Sequence, residues 1–396
     1  MKHPMSPALA YLSMVAEQLY SLRQWIEVVM ISNQSIQAKE ALLSPLIIGD
    51  ITLNNRVVMA PMTRNRANSD GTPTTSMVQH YSDRASAGLI VAEGTWPSRE
   101  GQAYCRQPGI ETKEHCLAWR HVTDAVHAKG GKIVLQIMHS GRIGSKHIKG
   151  ETVKSFAPSA IQAAGKVYTD SAGMQDFDVP LALNTVQVAQ VIAKHRQAAI
   201  NAIEAGFDGV ELHCTSGYLP MQFLCSGSNQ RTDKYGGSSD NRASFAYECL
   251  LSMSDAIGAG RVGLRINPGN SFNDCSDDNP AQSHISLLKQ VNGLNLAYLH
   301  VMKSPLAEID AFALAREHFD GPLILNDGFE PASAAEAVQE QLGQAVSFAR
   351  HFIANPDLVY RINDDLPLST FDRKSLYTAG DAGYNNYQTH QSLTTS

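Results

Sequence analysis

His213, Ser216 and Tyr218 stand within six positions of one another, in the stretch GVELHCTSGYLPMQFLCSGSNQRTDKYGGSSDNR (209–242). All three side chains can donate a hydrogen bond or exchange a proton. They follow a short apolar run, 209–212, and precede a polar loop, 226–237, so they sit where a strand becomes a loop. In parallel α/β proteins active sites are built at that junction. The competing reading is a buried histidine and a core tyrosine beside a surface loop, and the rest of the chain must decide between them.

The elements that would position these residues recur from Leu42 onward as a short β-branched run, a Gly- or Pro-containing loop and a longer helical stretch. Strands are expected at 56–61, 89–95, 132–139, 209–214, 261–268, 296–302, 322–328 and 345–350. Most are apolar throughout, which suits parallel strands covered on both faces. Helices are expected at 74–87, 113–129, 186–205, 239–257, 283–291, 306–318 and 332–341, with a short one after Asn355. Strand–helix alternation implies a parallel sheet, and eight units over this length imply an α/β chain folded as a (β/α)8 (TIM) barrel. A doubly wound sheet would announce its nucleotide site with GxGxxG after the first strand, and nothing of that kind follows Pro61.

The expected organisation is an N-terminal extension at 1–40, the barrel at 41–365 and a C-terminal tail at 366–396. The extension carries a helical pattern at 8–29 followed by a polar linker at 32–39, unless translation begins at Met30. A long insertion at 140–183 follows the third strand and reads as a lid or substrate loop. In the tail only Tyr377, Tyr384 and Tyr387 look able to pack, and the last eight or so residues are expected to be disordered.

Composition narrows the function. A net charge of −6 with a pI near 6.2 gives no electrostatic case for nucleic acid or an anionic membrane, and no apolar run reaches the length of a membrane span. The six cysteines form no CxxC pair, which fits reduced thiols and a cytoplasmic location and argues against a zinc knuckle or iron–sulfur cluster. The expected strand ends carry no carboxylate cluster, against glycoside hydrolysis. His139, His213 and His300 lack the carboxylates and close-spaced ligand pair of a metal site, so no metal is expected, and His139 and His300 read as structural. Cys214, next to His213, should face away from the barrel axis. What the strand ends do offer is an amide, Gln136, a cation, Arg265, and Gly or Arg after the seventh and eighth strands, at Gly328 and Arg350. A planar polar ligand bearing a phosphate would be satisfied by this set, with backbone N–H groups near Gly328 and Ala349 on the phosphate.

These residues carry a family resemblance. LLSPLIIGDITLNNRVVMAPMTRNRA (42–67), LIVAEGTWPSREGQAY (89–104), KIVLQIMHSGR (132–142), the 206–242 stretch, RVGLRINP (261–268) and AVSFARHFIANPDLVYRI (345–362) resemble, in order and spacing, the Old Yellow Enzyme family of FMN-dependent ene-reductases. The resemblance runs from about Leu42 to about Tyr387. It implies that Pro61, Met62, Thr63 and Gly94 border the flavin ring, that Gln136 bonds its pyrimidine edge and that Arg265 offsets charge near N1. It assigns the phosphate to Gly328, Phe329, Ala349 and Arg350, and the substrate walls to Tyr104, Met138 and Tyr377. It implies NADPH or NADH as reductant and a small electrophilic alkene as acceptor, with His213 and its partner holding the acceptor oxygen and Tyr218 donating a proton; the enzyme would be a monomer or homo-oligomer.

The chain departs from the family pattern where it matters most. The usual partner of His213 is His or Asn, and here it is Ser216. A serine hydroxyl donates one bond and reaches less far, which leaves open a flavin-binding protein with weak turnover or a different acceptor. Met138 replaces a common aromatic, Ala349 a common glycine, and Asn326-Asp327-Gly328 a more glycine-rich turn that brings an acidic side chain near the phosphate.

Overall fold

The strands are apolar on both faces because each face has its own core. The computed structural model describes residues 34–390, together with Met14 and Tyr20; apart from those two residues, the helix expected at 8–29 lies outside the described residues, as does the end of the tail, 391–396. Residues 34–43 form a helix, α1, followed by a hairpin of β1 (Leu46–Ile48) and β2 (Ile51–Leu53). Next come β3 (Val57–Met59), α2 (Thr75–Ser82), β4 (Leu89–Thr95), α3 (Lys113–His127) and β5 (Ile133–Ile137). The insertion holds α4 (Lys146–Lys149), β6 (Phe156–Ala157), β7 (Lys166–Thr169), β8 (Gly173–Asp176) and β9 (Leu181–Ala182). The chain continues with α5 (Thr185–Glu204), β10 (Gly209–Cys214), α6 (Leu219–Leu224), α7 (Ser239–Ile257), β11 (Val262–Ile266) and α8 (Pro280–Val291). It ends with β12 (Tyr298–Met302), α9 (Ala311–His318), β13 (Leu323–Asn326), α10 (Pro331–Gln339), β14 (Ala345–Phe348), α11 (Arg350–Ala354) and α12 (Leu358–Asn363).

Eight of these strands close into one barrel in the order β3, β4, β5, β10, β11, β12, β13, β14, with every pairing parallel. Alternation then splits each strand. Val58, Leu89, Val91, Val134 and Ile324 fill the barrel, where the hairpin residues Ile48, Ile51 and Leu53 plug the N-terminal end. Their neighbours Val57, Met59, Ile90, Ala92 and Ile133 face the helical layer instead. Cys214 belongs to that outer layer, as its register with His213 requires.

The helices start where the chain supplies caps. Asn184 and Gln187 form a capping box ahead of α5, and Ser238 caps α7. α9 begins at Ala311 rather than at the expected 306 because the Asp310 carboxylate accepts the N–H groups of Phe312 and Ala313. The polar-linker expectation for 32–39 fails over 34–39, which belong to α1. Ala38 and Leu42, one turn apart, are buried against the main core, and this spacing outweighs the polar composition.

The tail docks. Arg64 donates to the carbonyl oxygens of Leu376 and Gly383, and Arg66 to those of Ser375, Gly380 and Ala382. Tyr384 is fully buried and stacks on His80 at 3.8 Å, while Tyr377 stays 60% exposed. Among the described residues no helix is long and apolar enough to cross a membrane.

Candidate active site

The C-terminal strand ends surround a cavity of ≈ 930 Å³. It is lined by Pro61, Thr63, Tyr104, Gln136, Met138, His213, Ser216, Tyr218, Arg265, Gly328, Phe329, Ala349, Arg350 and Tyr377, which the sequence had marked for one site. Two marked residues do not line it. Met62 borders a smaller adjoining pocket with Thr63, Arg350 and Tyr377. Gly94 lies behind the wall: a Cβ there would come within 2.6 Å of Met138 Sδ and 3.4 Å of Gln136 Oε1, so the glycine lets both side chains sit where they do.

The floor is a network set by strand register. His213 lies opposite Arg265, Arg265 opposite His300, and Glu211 opposite Gln136. Glu211 accepts from Gln136 Nε2 at 2.8 Å, and its second oxygen lies 2.8 Å from His300 Nδ1. His300 Nε2 lies 2.7 Å from Ser347 Oγ. Arg265 donates to Asn326 Oδ1 at 2.7 Å, with its other terminal nitrogen 3.3 Å from the His300 ring nitrogens. Burial and the nearby Arg265 push His300 down to about 4, so at neutral pH it is uncharged and donates Nδ1–H to Glu211. Burial opposes ionisation of Glu211, but His300, Arg265 and Gln136 outweigh it and hold its pKa below the ordinary value. The cation of Arg265 is therefore balanced by the Glu211 carboxylate without either being solvated. Sequence reasoning missed Glu211 as a site residue. The signal was present, because Glu211 precedes His213 by two on the same strand and must share its face. His300 serves this network, in keeping with the structural role expected of it. His139 is likewise buried, accepting the Gly141 N–H at 3.1 Å.

Above the floor stand the proton-bearing groups. His213 is buried; its Nδ1 has no hydrogen-bond partner among the described residues. Burial and then Arg265 push its pKa down to about 3, so it is a neutral single donor. Ser216 sits in the left-handed region at φ 56, and its Oγ comes 3.4 Å from Thr215 Oγ1. Tyr218 precedes α6 and is 5% exposed, its hydroxyl 2.7 Å from that of Tyr104. Burial and the neighbouring Tyr104 raise the Tyr218 pKa well above the ordinary value, so it keeps its proton.

The walls come from the insertion and the late loops. Lys166, Val167, Tyr168 and Phe177, on or beside the β7–β8 hairpin, line one side, and Phe272 and Asn273, from the loop after β11, line another. None of these six was marked by the sequence, since loops carry no periodicity that locates their tips. At the far end Arg350 opens α11, whose N-cap, Ala349, makes no side-chain cap bond. Gly328 stands there at φ 81 with only Lys303 Cδ, at 3.6 Å, near its absent Cβ. Asp327 lies 3.7 Å from Arg350 Nη2, so the acidic side chain flagged by the sequence has a cation beside it. Among the described residues no three His, Cys, Asp or Glu side chains gather as a metal site.

The comparisons with known proteins agree with this geometry. Residues 41–369 match the family model described as NADH:flavin oxidoreductase / NADH oxidase. A probable flavin mononucleotide-dependent alkene reductase of Leishmania infantum is 44% identical over 356 residues, covering 88% of this chain and 97% of the relative. The Old Yellow Enzyme homologue of Zymomonas mobilis superposes with a TM-score of 0.85 at 34% identity, covering 88% of this chain and 99% of that one. Morphinone reductase in complex with tetrahydroNAD gives 0.84 at 37% identity, covering 88% and 97%. A closed parallel barrel with these strand-end residues, matched over most of its length by the family model and by such relatives, belongs to the NADH:flavin oxidoreductase / NADH oxidase family, that of the Old Yellow Enzymes.

Proposed function

We propose that this chain is an FMN-dependent oxidoreductase that uses NADPH or NADH to reduce the C=C bond of small α,β-unsaturated carbonyls or nitroalkenes. The observation that carries the reading is the convergence of two polar sets on one cavity: Gln136 and Arg265 on its floor and His213, Ser216 and Tyr218 above them. The similar alkene reductase and the tetrahydroNAD complex of a relative support the reaction class and the nicotinamide reductant.

The donor set fits FMN. Thr63, Gln136 and Arg265 offer a hydroxyl, an amide and a fixed cation to a planar heterocycle, with Pro61 and Met138 as apolar borders. Gly328, Phe329 and the N–H end of α11 at Ala349 and Arg350 suit a phosphate. When bound, FMN supplies the hydride chemistry, accepting from the nicotinamide and giving to the alkene.

The chain's own residues do the rest. A neutral His213 donates to the acceptor oxygen and draws charge toward it, making the distant carbon electrophilic. Ser216 donates beside it or through a bridging water. Tyr218, protonated and buried, delivers the proton to the carbon next to the activating group. The insertion hairpin and Tyr377 shape the mouth. The left-handed backbone and short side chain of Ser216 favour a second reading, a flavin-binding protein with weak turnover or a different acceptor. Heat-released flavin identified by mass as FMN, together with NAD(P)H consumption that depends on added 2-cyclohexenone, supports the first reading. FMN binding without such consumption favours the second.

A further inference from the structure

Two of the side chains lining the cavity carry a buried polar atom without a hydrogen-bond partner among the described residues: His213, at Nδ1, and Asn65, at Oδ1. The reading above uses His213, on the oxygen of the acceptor. It gives Asn65 nothing to do. Asn65 is 9% exposed, so its amide is withdrawn from bulk solvent. A buried acceptor left unpaired is costly, and such a group in a cavity wall is expected to be completed by what binds there.

The chain fixes Asn65 through its backbone. The residue follows β3 and sits at φ 57, a left-handed conformation that Asn tolerates better than most non-glycine residues. Arg106 Nε donates to the Asn65 carbonyl oxygen at 3.2 Å, and the Ala67 N–H donates to the Arg106 carbonyl oxygen at 3.1 Å. On the other side the Arg64 N–H donates to Glu93 Oε1 at 3.1 Å. The guanidinium groups of Arg64 and Arg66 turn to the tail, so of these three residues only Asn65 lines the cavity. In the closed ring of strands β4 and β5 stand between β3 and β10, so Asn65 and His213 face the cavity from different sides.

We propose that Asn65 sets acceptor specificity: its amide receives a hydroxyl group carried at the end of the acceptor remote from the activating carbonyl or nitro group. The proposal rests on the ene-reductase reading above, which pins that activating group at His213. A ligand so pinned lies across the cavity with its far end toward the β3 side. The unpartnered Oδ1 needs a donor there, and a hydroxyl supplies one while accepting from the amide Nδ2. An ether or alkyl group in the same place leaves Oδ1 unpaired, and a site built to bond a hydroxyl discriminates against the analogue that lacks it. The substrate class is a hydroxylated enone or nitroalkene whose hydroxyl lies away from the reacting double bond.

The test compares matched acceptors in one enzyme. The holoenzyme is reduced anaerobically with dithionite, which keeps the nicotinamide out of the measurement. It is then mixed at pH 6, where the phenol keeps its proton, with 3- and 4-hydroxy-β-nitrostyrene and with their methoxy counterparts. Hydroxy and methoxy groups activate the alkene alike, but only the hydroxyl donates. The concentration giving half the limiting rate of flavin re-oxidation is expected to be about tenfold lower for at least one hydroxy compound than for its methoxy partner, the effect of one hydrogen bond. Asn65→Gly keeps the left-handed backbone and removes the amide, and the ratio is expected to fall to about one. Asn65→Asp keeps the shape and an acceptor oxygen, and the preference for the hydroxy compound is expected to persist. Because each ratio is taken within one enzyme, changes in folding or flavin content cancel from it. A ratio near one in the unmutated enzyme with both pairs overturns the proposal. So does a preference that survives in Asn65→Gly, which would leave Asn65 a backbone role alone, or one lost in Asn65→Asp, which would remove Oδ1 as the receiving group. An unmutated enzyme that no nitroalkene re-oxidises refutes the ene-reductase reading itself and takes the proposal with it, an outcome visible before any variant is made.

Discussion

The hydroxyl of Tyr218 lies 2.7 Å from that of Tyr104, although the two residues are 114 positions apart. Tyr104 comes from the loop after β4 and Tyr218 from the end of β10, so the barrel creates the pair. Tyr218→Phe removes the proton and leaves the ring. Flavin re-oxidation by an enone is expected to slow about 10²-fold or more, the contribution of a positioned acid, without loss of FMN. Rapid-mixing absorbance of the flavin measures it, and an unchanged rate removes Tyr218 from the reaction.

The pH profile follows from the same groups. His213 is pushed down to about 3 and Tyr218 well above its ordinary value, both chiefly by burial. Neither changes charge between roughly pH 5 and 9, the interval between these shifted values. The re-oxidation rate is expected to be flat across that interval. A break near 6.5, the ordinary histidine value, would mean that His213 is solvated in the working enzyme.

Stability should behave differently. His195, His213 and His300 are all buried and held at about 4, 3 and 4. Their folded values lie below the unfolded value near 6.5, so the stability they confer is present above that pH and is lost as pH falls toward the folded values. Glu93, which burial raises to about 7, runs the other way, its contribution fading as pH rises through that value. The lowered buried histidines, His139 at about 3 and His80 among them, outnumber Glu93 and predict a melting temperature that falls steadily from pH 6.5 to pH 4. A melting temperature that rises over that range contradicts the buried neutral histidines.

Glu211→Gln leaves Arg265 buried without its counter-charge. Breaking a buried charge pair from one side costs about 3 kcal/mol or more, so the urea midpoint should drop clearly. Bound FMN should also weaken, because Gln136 loses the carboxylate that orients its amide. A midpoint equal to that of the unmutated protein would show that the network contributes little.

Much of the site was legible because chemistry collects at strand ends, and strand ends are where an apolar run stops. All eight barrel strands fall within the expected segments, and His213, Arg265 and Gln136 follow from them. Glu211 was hidden by its place inside an apolar run, where only its two-residue spacing from His213 marks it. Asn273 was hidden for another reason: its place depends on left-handed backbone at 273 and 274 and on an anchor 110 residues away, at Ala164. The docking of the tail rests on Arg64 and Arg66 donating to backbone carbonyl oxygens, which any sequence would present.

Ser216 stands where the family resemblance leads the sequence reading to expect His or Asn, and its φ of 56 suits asparagine, which tolerates the left-handed region. Ser216→Asn should therefore restore a longer donor without backbone strain. Re-oxidation by simple enones is expected to accelerate about tenfold or more, part of the 10²–10³ that one oxyanion donor supplies. No gain would show that the serine, or water beside it, already suffices.

The most direct test of the central claim is anaerobic reduction of the purified protein with NADPH or NADH, followed by rapid mixing with 2-cyclohexenone while flavin absorbance is recorded. Bleaching by the nicotinamide and prompt return of the oxidised spectrum, with cyclohexanone as product, is the predicted result. Flavin that bleaches and stays reduced with every activated alkene offered would contradict ene-reduction.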